Sequence, residues 1–115
     1  MISVKSQRNP EELINPFGGK GKLTLDYLLD STCCPDSVNM HAIATLEPGS
    51  VIGNHTHTGE SECYYIISGK AEYNDDGYFR QLSAGDVTFT ADGHSHSIKN
   101  IGSDNLVFVA LIIKS

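Results

Sequence analysis

Turn signals break this chain into short apolar or alternating runs, and that punctuation leaves it few folds to adopt. The runs are Val38 to Leu46, Cys63 to Ile67, Lys70 to Tyr73, Tyr78 to Leu82, Val87 to Thr90, Ser95 to Lys99 and Leu106 to Ile113. Before them, Leu23, Leu25, Tyr27 and Leu29 alternate with Lys22, Thr24, Asp26 and Leu28, the period-2 pattern of a half-buried strand. Between the runs stand Pro48-Gly49, Ser68-Gly69, Asp75-Asp76-Gly77, Ala84-Gly85, Asp92-Gly93 and Gly102-Ser103-Asp104, which accept positive φ or close Asx turns. Short strands at this spacing, with almost no helix between them, predict an all-β chain folded as an antiparallel sandwich or barrel. Parallel βαβ units are excluded, because 115 residues divided this way leave no room for crossover helices.

One domain is expected, residues 1–115, with an amino-terminal arm over 1–21 and the barrel over 22–115. Within the arm, Asn9-Pro10-Glu11-Glu12-Leu13 predicts a short helix: Asn caps, Pro tolerates the first turn and two acids favour the positive end of the dipole. Pro16 and the glycines at 18, 19 and 21 stop it. Gly18-Gly19-Lys20-Gly21-Lys22 is read as a turn and not a phosphate loop, since no strand precedes it and neither Ser nor Thr follows the lysine.

Fourteen acidic residues against eight basic ones give a net charge of −6, which repels phosphate backbones and anionic membranes, so neither nucleic acid nor membrane is an expected partner. The longest apolar run, Leu106 to Ile113, is far shorter than a membrane-spanning helix and reads as a buried strand. No apolar block follows Met1 that would serve as a secretory signal, and three cysteines make no disulfide framework. Both features place the chain in the cytoplasm.

Four of the five histidines fall in two pairs, His55-Thr56-His57 and His94-Ser95-His96. On a strand, residues two apart share a face, so His55 and His57 can aim both imidazoles at one ion, with Glu62 a turn further on. Imidazole and carboxylate together suit a divalent manganese, iron, cobalt, nickel or zinc ion. A fourth ligand must come from the second pair. His96 follows the Gly93 turn onto a strand, and His94 shares its face in principle. Taken alone, a His-x-His pair is more often a polar surface feature than a ligand set.

These residues sit inside two longer patterns. Gly49, five residues, His55-x-His57, four residues, Glu62, six residues and Gly69 form the first. Gly85, five residues, Ala91, then Gly93, two residues, His96, three residues and Asn100 form the second. In both order and spacing the chain resembles the small single-domain cupins, and the resemblance covers at least Val38 to Ile113. Ala91 stands where that family usually has proline, a change that affects the stiffness of a turn and removes no ligand. The resemblance implies a double-stranded β-helix, the jelly-roll barrel of the cupin type, with His55, His57, Glu62 and His96 converging on one divalent metal ion. Asn100 is expected to bond neighbouring backbone.

Parity with Glu62 turns Tyr64 and Ile66 inward and leaves Cys63, Tyr65 and Ile67 facing outward. Tyr64 is therefore the candidate hydrogen-bond donor or general acid beside the metal, and His94 the candidate proton carrier at the mouth. Glu60 reads as a solvated loop acid, Cys63 as a small buried apolar residue and His41 as a core or rim histidine. An octahedral ion keeps positions open where tetrahedral zinc would be closed by four protein ligands. Two functions follow: a metal-dependent enzyme acting on a small oxygen-rich organic acid or sugar-derived compound by oxygenation, decarboxylation, isomerisation or lyase chemistry, or a module that binds metal or small ligand without turnover. Related small cupins imply a homodimer, for which the Leu23 to Leu29 strand is the expected exchange or extension edge.

Overall fold

The computed structural model describes residues 1–115. Ten strands account for most of it: β1 (Glu11–Ile14), β2 (Lys22–Tyr27), β3 (Val38–Leu46), β4 (Val51–Thr56), β5 (Glu60–Ser68), β6 (Lys70–Asp75), β7 (Tyr78–Ser83), β8 (Val87–Thr90), β9 (Ser95–Asn100) and β10 (Leu106–Lys114). The only helical turns are 3₁₀ segments at Lys5–Gln7 and Pro16–Gly18. No helix is long and apolar enough to cross a membrane. Every named strand pair is antiparallel.

The strands form a six-stranded sheet in the order β1-β2-β3-β10-β5-β8 and a four-stranded sheet in the order β4-β9-β6-β7. The crossovers between sheets make a jelly roll, as the family resemblance implies, within the all-β class that the punctuation predicts. Cross-strand register builds the core in rows. Ala44 lies opposite Phe108, which lies opposite Ile66, and Ala42 lies opposite Ala110, which lies opposite Tyr64. From the other sheet Ile52, Ala71, Tyr73 and Ile98 close over these rows. Alternation along β5 is as expected: Tyr64 and Ile66 are buried, Tyr65 and Ile67 exposed.

Two local expectations are corrected, and one strand is added to those expected. Residues Glu11–Ile14 form a strand and not a helix, because Leu13 packs against the core while pairing opposite Leu23. Four residues cannot repay helix nucleation, whereas a strand edge offers ladder bonds at once. The expected exchange edge is already paired on both sides, since β2 lies between β1 and β3. Val51–Thr56 is a strand that the alternation conceals. Its pairing with β9 shifts between Ile52 and His55, where three steps on β4 match two on β9.

Asn100 ties the two sheets together at the end of β9. Its buried amide donates to Leu46 O at 2.8 Å and Asp104 O at 2.9 Å, and its carbonyl accepts from Gly102 N at 2.9 Å. Alanine at this position strands the Leu46 and Asp104 carbonyls and the Gly102 amide. Asn100→Ala is expected to lower stability by about 3 kcal/mol in urea denaturation with an unchanged m value.

Candidate metal centre

His55 stands on the bulged part of β4, His57 one residue past its end, Glu62 in β5 and His96 in β9. The bulge decides the aim of His55. Ile52 pairs with Ile98 and His55 with His96, so the extra residue puts both Ile52 and His55 on the inner face. Glu62 reaches the same point from the six-stranded sheet, opposite Ile112. The cluster therefore spans both layers.

Four atoms converge there. His96 Nε2 lies 3.0 Å from His57 Nε2, 3.1 Å from His55 Nε2 and 3.0 Å from Glu62 Oε1. His57 Nε2 is 2.9 Å from the same carboxylate oxygen. All four ligand atoms lie within 4.8 Å of one another, and His57, Glu62 and His96 are buried.

The outward nitrogens are already committed. His55 Nδ1 donates to Gly53 O at 2.8 Å, and His57 Nδ1 donates to Glu60 Oε2 at 2.6 Å. Tyr73 Oη at 2.6 Å and Thr90 Oγ1 at 3.0 Å meet His96 Nδ1 and accept from it in the tautomer that frees Nε2. Such bonds fix ring orientation and make the inner nitrogen a better donor of its lone pair. Burial also pushes the His55 pKa below the ordinary histidine value, favouring the neutral form that a metal requires. Lone pairs crowded this closely repel one another, and a cation between them removes the repulsion. The donor set fits a divalent transition metal.

A cavity of about 250 Å³ opens beside the cluster, bordered by His55, His57 and Glu62 but not by His96. His96 thus closes the back and the other three face the space. Tyr64 lines it, and burial together with the Glu62 carboxylate holds its hydroxyl protonated far above the usual tyrosine range. Phe17 stacks on the His55 ring at 4.1 Å between centroids, 14° from parallel. Gly53 permits this lid: a Cβ there would lie 2.0 Å from Phe17 O.

His94 is outside the cluster and outside the cavity lining. Its Nδ1 bonds Asp76 Oδ2 at 2.9 Å in an exposed pair that raises the histidine pKa. Glu60 is corrected from a solvated acid to the partner of His57, and it also accepts from Asn39 Nδ2 at 2.8 Å. Cys63 is only partly buried, on the outer face. His41 stands on the same outer face, opposite Leu111. Tyr73, Thr90 and Phe17 gave no signal, because what connects them to the histidines is pairing between distant strands and a loop path, not spacing. The Gly18 to Gly21 turn carries the chain past β4, where a Cβ on Gly19 would lie 1.9 Å from Val51 O.

Comparison with known proteins agrees with this geometry. Residues 42–112 match the family model described as "Cupin domain". The chain is 41% identical over 113 residues to a Thermotoga maritima protein named oxalate-binding protein, covering 98% of this chain and 93% of that protein. It is 36% identical over 107 residues to the oxalate decarboxylase OxdC of Bacillus subtilis, covering 88% of this chain but 26% of that much longer protein. A crystal structure of a predicted oxalate decarboxylase from Thermotoga maritima superposes with a TM-score of 0.94 at 40% identity over 100% of both chains.

Because Glu60 orients His57 without itself joining the four-atom cluster, its removal separates positioning from ligation. Glu60→Ala is expected to weaken affinity for a divalent ion by about 10- to 100-fold in calorimetric titration while leaving the fold intact.

Proposed function

This chain belongs to the cupin family, and from that premise we propose that it holds one divalent transition-metal ion on His55, His57, Glu62 and His96 and acts there on a small oxygen-rich organic acid. The observation that carries this reading is the meeting of four inward donors at the wall of a cavity that only three of them face. Manganese, iron, cobalt or nickel, which keep positions open beyond four protein ligands, suit a centre that faces a cavity better than tetrahedral zinc, which four protein ligands would close.

When bound, such an ion polarises a carboxylate or carbonyl oxygen and stabilises negative charge that develops on it. The chain's own residues do the rest. Tyr64 stays neutral at physiological pH against the Glu62 carboxylate, and when that carboxylate turns to an ion its hydroxyl is freed to donate a hydrogen bond to the bound acid. Phe17 and the apolar walls limit water. His94 has no part in this reading, because it stands outside the cavity. The names of the two curated relatives, one for binding oxalate and one for decarboxylating it, support a chelating organic acid as the ligand class. Decarboxylation, oxygenation, isomerisation and lyase chemistry all begin from such a bound acid. Binding without turnover is the alternative, favoured by the name of the more similar relative.

Elemental analysis of untagged protein tests the centre. One divalent ion per chain is expected, and His57→Ala or Glu62→Gln is expected to reduce it to below about a tenth; full metal content in both variants would falsify the assignment. Tyr64→Phe is expected to keep the metal and lose roughly 10²-fold in turnover. Equal turnover would remove Tyr64 from the chemistry.

The same reading includes a cytoplasmic homodimer. Three unpaired cysteines suit a reducing compartment. For the dimer, the outer face of the six-stranded sheet is the support. Register lines up Ile43, Val109, Tyr65 and Val87 in one row and His41, Leu111, Cys63 and Phe89 in the next, with no formally charged acid or base in either. A solvated sheet face would alternate to polar residues here. Tyr65, Ile67, Val87 and Phe89 are 43–60% exposed and together present on the order of 400 Å² of apolar surface, half of the roughly 800 Å² per partner in an ordinary interface. The rest of the two rows extends the patch. The stretch from β3 to β8 carries no acid or lysine or arginine in these rows, and the one acid next to it, Asp26 opposite Ile43, is paired with Arg8, so two copies of an acidic chain can meet there with little repulsion. Light scattering on the eluting protein should show a dimer, and Tyr65→Lys with Phe89→Glu a monomer that keeps its metal; a monomeric wild type at all concentrations sinks this part.

A further inference from the structure

We infer that the ligand of this centre is a monoanionic chelator with an apolar substituent, an α-oxo or α-hydroxy carboxylate whose side chain fills the cavity, and not a small dianion such as oxalate. The inference rests on the metal-centred reading above and concerns the part of the cavity beyond the four ligands.

Charge comes first. A divalent ion and the Glu62 carboxylate leave one net positive charge, which a monoanionic head cancels. A dianion would leave one negative charge, and the cavity has nothing to meet it. Of its fifteen lining residues twelve are hydrophobic, and the other three are His55, His57 and Glu62. Neither arginine reaches it: Arg8 clasps Asp26 at 2.8 and 2.9 Å, and Arg80 is on β7 in the other sheet. No lysine lines it. An unpaired charge against such walls is strongly disfavoured.

Hydrogen bonding points the same way. Of the two tyrosines on the wall, Tyr27 donates to Glu11 at 3.1 Å and Tyr64 lies against the Glu62 carboxylate, so the wall offers a ligand at most one hydroxyl, that of Tyr64 once Glu62 turns to the ion. A chelating head uses two oxygens on the ion and Tyr64 serves one. The remaining oxygen of oxalate would face apolar wall such as Leu25, Met40, Phe108 and Ile112.

Size completes the case. A cavity of about 150 Å³ accommodates a benzene ring, and this one measures about 250 Å³. Oxalate has as many heavy atoms as benzene and would leave apolar volume empty. The space exists because Ala44 and Ala110 stand where the inner rows could have carried larger residues. Those two alanines set how large the substituent can be.

Calorimetry of the manganese-loaded protein with three acids tests this: 4-methyl-2-oxopentanoate, glyoxylate and oxalate. The first two share a monoanionic oxo-acid head and differ by four apolar carbons, so the branched acid is expected to bind roughly 100-fold tighter than glyoxylate. It is also expected to bind tighter than oxalate. Ala110→Leu should collapse the preference for the branched acid over glyoxylate to within a few-fold, with metal content as the control. If that variant loses its metal, Ile112→Ala serves instead and should shift preference toward the bulkier phenylpyruvate. Oxalate or glyoxylate binding as tightly as the branched acid, with cavity variants indifferent, overturns the inference and leaves the metal reading standing. Failure of all three acids to bind loaded protein, or of the protein to hold manganese, brings down that reading and this inference with it.

Discussion

The extra residue in β4 is the constraint on which the rest of the site depends. A strand alternates strictly, so a regular β4 could not place both Ile52 and His55 on the inner face. The bulge, three residue steps against two on β9, does so. Ile52 then closes the core while His55 meets His96 within hydrogen-bonding distance. Gly53 makes the bulge serve a second purpose, because the absence of a Cβ lets the Phe17 loop lie across the strand and stack on the imidazole it has aimed. One local irregularity thus sets a ligand, its tautomer through the Gly53 carbonyl, and the lid over it.

Around this point the structure gathers groups that would destabilise it if left alone. Three imidazoles and a carboxylate are costly to bury, and the fold compensates each imidazole by a specific outward bond: Gly53 O, Glu60, and the Tyr73 and Thr90 hydroxyls. The inward lone pairs remain, and only a cation satisfies all of them at once. This is the physical sense in which the site asks for a metal. The ligands come from β4, its following turn, β5 and β9, so binding an ion would also tie the two sheets together at the end of β9 opposite Asn100.

Much of this was readable from residues alone. Turn punctuation marked most strands to within a few residues, and parity on β5 assigned Glu62, Tyr64 and Ile66 to the interior. The clustering of His55, His57, Glu62 and His96 was legible because their residue types and spacings form an uncommon pattern. What escaped had physical reasons. The bulge broke the alternation that would have marked β4. Glu11 and Glu12 looked like helix-start acids, yet Leu13 found more burial as part of a strand edge. Glu60 has no feature that separates it from a solvated acid until the turn after His57 folds back and brings its carboxylate to Nδ1. Tyr73 reaches His96 only because β6 pairs with β9, and nothing local in the sequence encodes that pairing.

The strand β5 shows how tightly register is specified here. Its inward residues Glu62, Tyr64 and Ile66 supply a carboxylate of the four-residue cluster, a cavity-wall hydroxyl and a core side chain, while Cys63, Tyr65 and Ile67 face outward. A slip of one residue would exchange the two sets. It would place Cys63 or Ser61 where the carboxylate now stands and expose Glu62 among the uncharged outer residues of β3, β10, β5 and β8. Both sides of the strand therefore select the same pairing with β10 and β8, and the β10 register carries the choice onward to Ala110 and Phe108 in the cavity wall. The alternation that makes the fold thereby also determines which side chains the bound ligand can meet.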